Sequence, residues 1–294
     1  MRFLSVSIGL IFLIQTFAGI VLASDQPKVI RIGFIPSEPS KELTKKAQSL
    51  ASLLEKKIGT PVRVTIPTNY QGLIEQMKSG EVDFAFFTAM SFVFAERSTP
   101  LKVLLKKIWN KNPYYYSVII ALESSGIRTL KDLKNKKFAF VDRRSTSGFL
   151  CPSVKFMKDK IEPEKYFSEI QYSGNHGNSA SLLNSGKVDA IAVFSDDEKG
   201  SKTAWEQYGY GSKKKRLIWV SDPIPNDPFV VRESFYEKYP RVTHDIMFAL
   251  LEMKDEDGGK KLKDLLGVEE LKFATTKQYD PVRELVHLLK LELE

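Results

Sequence analysis

The sequence predicts an α/β fold built from two similar lobes that face each other across a cleft. Three observations predict it. Strand-like and helix-like segments alternate along the chain, the pattern of a mostly parallel sheet flanked by helices. One block of sequence recurs at a constant offset of 106 residues. Two extended stretches offer paths for the chain to leave the first lobe and come back.

The elements follow in order. Residues 29–35 form an apolar strand candidate. Residues 41–58 place Leu43, Ala47, Leu50, Ala51, Leu54 and Ile58 at helical spacing, which gives an amphipathic helix. Residues 62–66 are a second strand. Residues 70–79 are a second helix that stops at Gly80, a residue suited to a C-cap. Residues 82–87 are an apolar third strand.

This order then repeats. Ser79, Gly80, Val82 and Asp83 in SGEVDFAFF correspond to Ser185, Gly186, Val188 and Asp189 in SGKVDAIAVF. Phe34 and Ile35 in RIGFIPS correspond to Phe140 and Val141 in KFAFVDR at the same offset. Ligands of open α/β sheets bind beyond the carboxyl ends of the strands, so two such lobes would surround one ligand with their strand-end loops.

The expected crossings are residues 114–122 (YYYSVIIAL) and 217–231 (LIWVSDPIPNDPFVV), where prolines 223, 225 and 228 oppose helix. The predicted division is residues 24–118 and 226–294 for the first lobe and 119–225 for the second. The tail carries helix-like stretches at 234–253, 257–266 and 280–293.

Composition narrows the function. The 294 residues are 43 % hydrophobic and 27 % charged, ordinary values for a globular chain of two compact domains. Residues 1–23 differ: Arg2 is their only charge, and Val21 and Ala23 form a small-residue cleavage site before Ser24. They read as a cleaved secretory signal peptide. The competing reading is an uncleaved anchor, since roughly 20 apolar residues span a bilayer. The single cysteine, Cys151, lies away from the cleavage site, so no lipid is expected there and no intramolecular disulfide can form. Cys151 reads as a small core residue. Together these features suggest an exported bacterial protein of the periplasm. The net charge of +8 would suit nucleic acid in another compartment, but export argues against that partner. The basic run 213–216 (KKKR) reads as a solvated loop, and the positive field as a lure for small anions.

The candidate site is 136-KKFAFVDRRSTSGFLCP-152. Ser145, Thr146 and Ser147 stand at a strand-to-helix turn in the loop after the second lobe's first strand. Helix N-termini offer unpaired N–H groups and partial positive charge, and hydroxyls there either cap the helix or donate to an oxyanion. Three in a row exceed the need of one cap, but the hexapeptide alone leaves both readings open. Pro152 implies a kinked first turn or a late helix start. Arg143 and Arg144 read as facing solvent, with anion pairing as the alternative.

The segment DRRSTSGFLCP resembles the anion-binding motif of phosphonate-binding proteins, the periplasmic components of ATP-binding-cassette importers. Similar segments are 34-FIPSEP-39, 69-NYQGLIEQMKSGEVDFAFFTAMSFVFA-95, 114-YYYSVIIA-121, 174-GNHGNSASLLNSGKVDA-190 and 221-SDPIPNDPFVVRESF-235. The resemblance implies a type II periplasmic-binding-protein fold with two hinge strands. It implies that Ser145, Thr146 and Ser147 donate to phosphonate oxygens and that Tyr70 and Tyr115 donate from the opposite lobe. It implies a ring N–H from His176, with added charge if protonated. Asp196 and Asp227 match positions where aminophosphonate binders hold the ligand's ammonium. Taken alone, the tyrosines would be half-buried amphipathic residues, His176 a loop histidine, Asp196 a helix-start acid and Asp227 a turn residue. The chain departs from the family at Arg143 and Arg144, at FTAMS before Phe92, and at Asp196, where glutamate is known.

The expected function is capture of a phosphonate, in particular an aminoalkylphosphonate, or a related phosphorus oxyanion, for delivery to a membrane permease. A sensor of ligand occupancy and a binder of phosphite, phosphate or another small anion are the alternatives. With no nucleophile–base pair, no metal-ligand cluster and only three scattered histidines, no enzyme, metal or cofactor is expected. His244 and His287 carry no signal. The chain is expected to act as a monomer.

Overall fold

A computed structural model describes residues 26–109, 111–255 and 259–291; the expected signal peptide lies outside them. The chain begins with β1 (Ile30–Phe34), α1 (Ser40–Ile58), β2 (Val62–Thr65), α2 (Tyr70–Ser79), β3 (Phe84–Phe86), α3 (Ala89–Ser98) and β4 (Leu101–Ile108). It crosses into β5 (Tyr114–Leu122), β6 (Lys137–Phe140), one π-helical turn (Thr146–Leu150) and α4 (Cys151–Lys158). There follow α5 (Pro163–Tyr166), β7 (Glu169–Tyr172), α6 (His176–Asn184), β8 (Ala190–Ser195), α7 (Ala204–Gln207), β9 (Lys215–Val220) and β10 (Ile224–Pro225). It returns through β11 (Pro228–Arg232), α8 (Glu233–Lys238), α9 (Pro240–Glu252), α10 (Lys260–Leu266), β12 (Glu270–Phe273) and α11 (Asp280–Leu288).

Two sheets result. The first has the order β12-β4-β11-β3-β1-β2, and the second β10-β5-β8-β6-β7 with β9 also pairing β5. In each, a central strand pairs in parallel with two others: β1 with β2 and β3, and β6 with β7 and β8. The helices cover both faces of the sheets, burying Leu43, Leu50 and Leu54 of α1 on one and Leu73, Ile74 and Met77 of α2 on the other.

The sequence repeat has a physical cause. Asp83 Oδ2 accepts the Arg31 N–H at 3.0 Å, and Asp189 Oδ2 accepts the Lys137 N–H at 2.8 Å. The backbone answers identically: the Asp83 and Asp189 N–H groups donate to the Arg31 and Lys137 carbonyls, each at 2.9 Å. Each aspartate thereby fixes the start of one parallel pairing. Gly80 and Gly186, with φ of 78° and 69°, turn the chain after α2 and α6 through the left-handed region where a side chain is strained.

The crossings are shorter than the sequence suggests. All of β5 lies within the second sheet, from Tyr116 opposite Ser195 to Ala121 opposite Ala190. Residues 114–118, assigned to the first lobe in the sequence reading, therefore pair with the second. An apolar run such as VIIA is what a strand covered on both faces requires, and it says nothing of a crossing. The chain crosses between β4 and β5 and again at Asn226 and Asp227. Asn226 ties the two together, donating from its N–H to the Pro113 carbonyl at 3.1 Å and from Nδ2 to the Asn112 carbonyl at 3.0 Å. Tyr279 donates its hydroxyl to the Asn226 carbonyl at 2.8 Å.

Other expectations shift. Lys215 and Arg216 of the basic run belong to β9, with Lys215 paired to Glu206 and Arg216 to Glu123, so only the first half of that run is loop. Pro240 separates α8 from α9, and β12 completes the first sheet. Cys151 is buried, and burial pushes its thiol up to about 12, which keeps it protonated and suits a core residue. No helix among the described residues is long and apolar enough to cross a membrane.

Candidate ligand-binding site

The hydroxyl-rich turn is built by its neighbours. After β6 the Arg144 N–H bonds Asp142 Oδ1 at 2.7 Å and the Ser145 N–H bonds the Asp142 carbonyl at 2.9 Å. Ser145 then caps the π turn, its Oγ accepting the Gly148 N–H at 3.0 Å. A side chain on Gly148 would sit 2.5 Å from Val141 Cγ2, so only glycine lets the turn lie against β6. The α-helix proper starts at Cys151 with Pro152 in its first turn, where no N–H is needed.

The three residues are buried and have different partners. Ser145 accepts the cap bond. Thr146 Oγ1 accepts from the Met90 N–H at 2.9 Å, at the start of α3 in the other lobe. The Ser147 carbonyl accepts from Ser117 Oγ at 2.6 Å, anchoring the turn to β5. A hydroxyl that accepts one bond still carries a proton to donate, and an oxyanion can only accept.

Tyr115 sits on β5, paired opposite Ile224, so it belongs to the same lobe as the turn and not to the opposite one. Burial holds its phenol protonated, with Asp227 adding to the effect and Thr146 and Ser147 opposing it. Tyr70 comes from the first lobe. Burial likewise raises its pKa, and its hydroxyl has no hydrogen-bond partner.

Tyr70 and His176 share a structural role. Each is the first residue of its helix and follows an asparagine N-cap. Asn69 Oδ1 accepts from the Gly72 N–H and Asn175 Oδ1 from the Asn178 N–H, both at 2.8 Å. Each is buried with an unpartnered polar atom, the Tyr70 hydroxyl and His176 Nδ1. They stand 106 residues apart, so the repeat extends to the site itself. Burial pushes His176 down to about 3, so it is a neutral ring at neutral pH and brings no charge. Its edge meets Phe194 with centroids 4.9 Å apart, and its backbone N–H reaches the Ser37 carbonyl of the first lobe at 3.2 Å.

A cavity of about 140 Å³ lies between the lobes. It is small beside the roughly 300–1,000 Å³ of drug-sized pockets, and it suits a ligand of a few heavy atoms. Of the eight residues expected from the sequence, Tyr115, Ser145, Ser147, His176, Asp196 and Asp227 line it; Tyr70 and Thr146 are not on its wall. Its wall carries both hydroxyl donors and carboxyls, and Asp227 lies close enough to Tyr115 to act on its phenol. Burial pushes Asp196 up to about 7, with Asp197 adding and Lys202 opposing. Burial also raises Asp227, against the pull of Lys107.

Sequence reasoning missed Lys107 and Tyr208 on this wall. Tyr208 has a buried, unpartnered hydroxyl, and nothing in WEQYGYG marked it. The expectation that both arginines face solvent holds for Arg143 and fails for Arg144. Arg143 is exposed, 4.6 Å from the Tyr172 ring centroid. Arg144 bridges the lobes: its Nε donates to Gln71 Oε1 at 2.8 Å and its guanidinium lies 4.1 Å from the Phe94 ring centroid. Its carbonyl accepts from Thr88 Oγ1 at 3.3 Å and Ser91 Oγ at 3.1 Å. The departures at FTAMS and at Arg144 thus meet each other across the cleft. Neither arginine lines the cavity.

Residues 32–279 match the family described as the phosphonate periplasmic substrate-binding protein of ABC transporters. The chain belongs to this phosphonate-binding family. It is a phosphonate-binding, periplasmic component of an ABC transporter. The phosphonates-binding periplasmic protein of Escherichia coli is 26 % identical over 280 residues, covering 93 % of this chain and 80 % of that protein. The phosphate-import protein PhnD of Mycolicibacterium smegmatis is 29 % identical over 218 residues, covering 71 % and 67 %. PhnD1 of Prochlorococcus marinus, solved with methylphosphonate, superposes with a TM-score of 0.78 at 22 % identity, covering 90 % of this chain and 99 % of that one. That likeness shows the fold of type II periplasmic binding proteins. These relatives are named for binding and import, not for catalysis. Among the described residues, no cluster of His, Cys, Asp and Glu could hold a metal.

Proposed function

We propose that the cleft captures a small aminoalkylphosphonate. The observation that carries this reading is the cavity's lining, which brings the hydroxyls of Tyr115, Ser145 and Ser147 and a neutral imidazole together with the carboxyls of Asp196 and Asp227. Tyr115, Ser145, Ser147 and His176 act together as the donor set for the three phosphonate oxygens, while Tyr70 and Thr146, which do not reach the wall, are not part of it. Asp196, and Asp227 as far as Lys107 leaves it free, receive the ammonium and repel plain phosphate. The chain enters the periplasm by a cleaved signal peptide, carries no lipid, acts as a monomer, and performs no chemistry on what it carries. It hands the ligand to the permease.

A thermal-shift panel of 2-aminoethylphosphonate, methylphosphonate, phosphite, phosphate, sulfate and amino acids tests this. A specific ligand at about 1,000 times its Kd stabilises by about 4 kcal/mol. A transition moved by sulfate or an amino acid and by no phosphorus compound would overturn the ligand class. The Lys107–Asp227 pair favours a second reading, a phosphorus oxyanion without an amine, which the same panel separates.

A further inference from the structure

We propose that Lys107 sets ligand choice by acting as the resident counter-ion of Asp227. The inference rests on the phosphonate reading of the cleft. Lys107 lies near the end of β4, just before the first crossing, and Asp227 lies in the second. Their backbones are bonded, the Lys107 N–H donating to the Asp227 carbonyl at 3.2 Å. Lys107 Nζ stands 3.6 Å from Asp227 Oδ2, and both residues line the cavity. The Phe86 ring, 5.8 Å from Nζ to its centroid, supports the ammonium from the other side.

At 3.6 Å the pair is wider than the about 2.7–2.9 Å of a tight charge-assisted hydrogen bond. The lysine therefore neutralises Asp227 without occupying it fully. A ligand ammonium approaching Asp227 meets a like charge already in place. Glu38, on the same wall, is similarly engaged, with Lys46 at 2.7 Å from its Oε2. Asp196, on the same wall and beside Asp197, is left as the carboxyl that reads the ligand's far substituent. Lys107 thus lowers the preference for an aminoalkyl over a plain alkyl phosphonate, and removing its charge returns Asp227 to the ligand.

The test is calorimetric titration of the mature protein with 2-aminoethylphosphonate and with methylphosphonate. Lys107→Met keeps most of the stem and removes the charge. It is expected to raise the affinity ratio of 2-aminoethylphosphonate to methylphosphonate at least tenfold. Lys107→Arg, which keeps the charge, should leave the ratio within a few-fold of the parent. A ratio unchanged in Lys107→Met, with the parent binding either ligand, overturns the role of Lys107 alone. A parent that binds neither overturns the phosphonate reading, and this inference with it. If Lys107→Met does not fold, Lys107→Gln is read by the same criteria.

Discussion

The Thr146 hydroxyl accepts a hydrogen bond from the Met90 N–H at 2.9 Å, joining the hydroxyl-rich turn of one lobe to a helix start of the other. Both groups are buried. One side chain therefore belongs both to the turn and to the closed state. Thr146→Val keeps the shape and leaves the Met90 N–H unpaired, which costs about 1–3 kcal/mol. That cost falls on the closed form, so ligand affinity should drop roughly tenfold or more by calorimetry, while Thr146→Ser stays near the parent. Equal affinity in the valine variant would show that the bond does not hold the lobes.

Arg144 closes the same seam. Its side-chain contacts to Gln71 and Phe94 are lost in Arg144→Ala, but the carbonyl contacts to Thr88 and Ser91 remain. A cation–π contact of this kind contributes about 0.5–2 kcal/mol. Stopped-flow measurements should show release a few-fold faster and association little changed. If Arg144 held the anion directly, the loss would be larger and would vary strongly with salt.

Asp83 is the most exacting of the structural residues. Its carboxylate is fully buried between Arg31 and Arg232, at 2.8 Å and 2.9 Å. Breaking a buried charge pair costs about 3–5 kcal/mol. Asp83→Asn should lower the unfolding free energy measured by urea titration by an amount in that range. Asp189→Asn, whose repeat-equivalent carboxylate is only partly buried and binds a backbone N–H, should cost markedly less. Equal costs would contradict this ranking.

His176 and Asp196 give the ligand-free protein opposing pH responses. His176 is held near 3 against an ordinary 6.5, so its stabilisation is full above pH 6.5 and falls as pH drops toward 3. Asp196 is held near 7 against an ordinary 3.8, so its stabilisation is full below about pH 4 and falls as pH rises through 7. Between pH 4 and 6.5 the two slopes cancel, each at most about 1.4 kcal/mol per pH unit. Relative to the parent, His176→Gln should gain stability as pH falls through this window, and Asp196→Asn should lose it. Parallel curves for all three proteins would refute the assignment.

The repeat was legible because few residue types can do what its members do. An aspartate that accepts the first N–H of a strand and a glycine with positive φ leave a recognisable trace at both copies. The equivalence of Tyr70 and His176 was legible as well, through the asparagine before each, but the two side chains share no chemistry and the link passed unnoticed. The crossings were not legible, because an apolar run reads alike within a sheet and between sheets. Lys107 was hidden for a related reason. Adjacent strand residues face opposite sides, and in LKVLLKKI only the fold decides that Lys106 turns to Tyr114 while Lys107 turns to Phe86 and the cavity. Strand β12 was missed because a four-residue edge strand, half of it exposed, carries almost no periodicity.

The bonds from Asn226 to Asn112 and Pro113 bring both crossings to one place, and that place is a pivot. Lys107, Tyr115 and Asp227 lie beside it, so they travel little when the lobes swing. The Thr146–Met90 and Arg144–Gln71 bonds join the lobes directly, without passing through the crossings. The two lobes are therefore held in two ways: by covalent crossings tied at Asn226, which persist whatever the cleft contains, and by side-chain bonds that any swing of the lobes has to break.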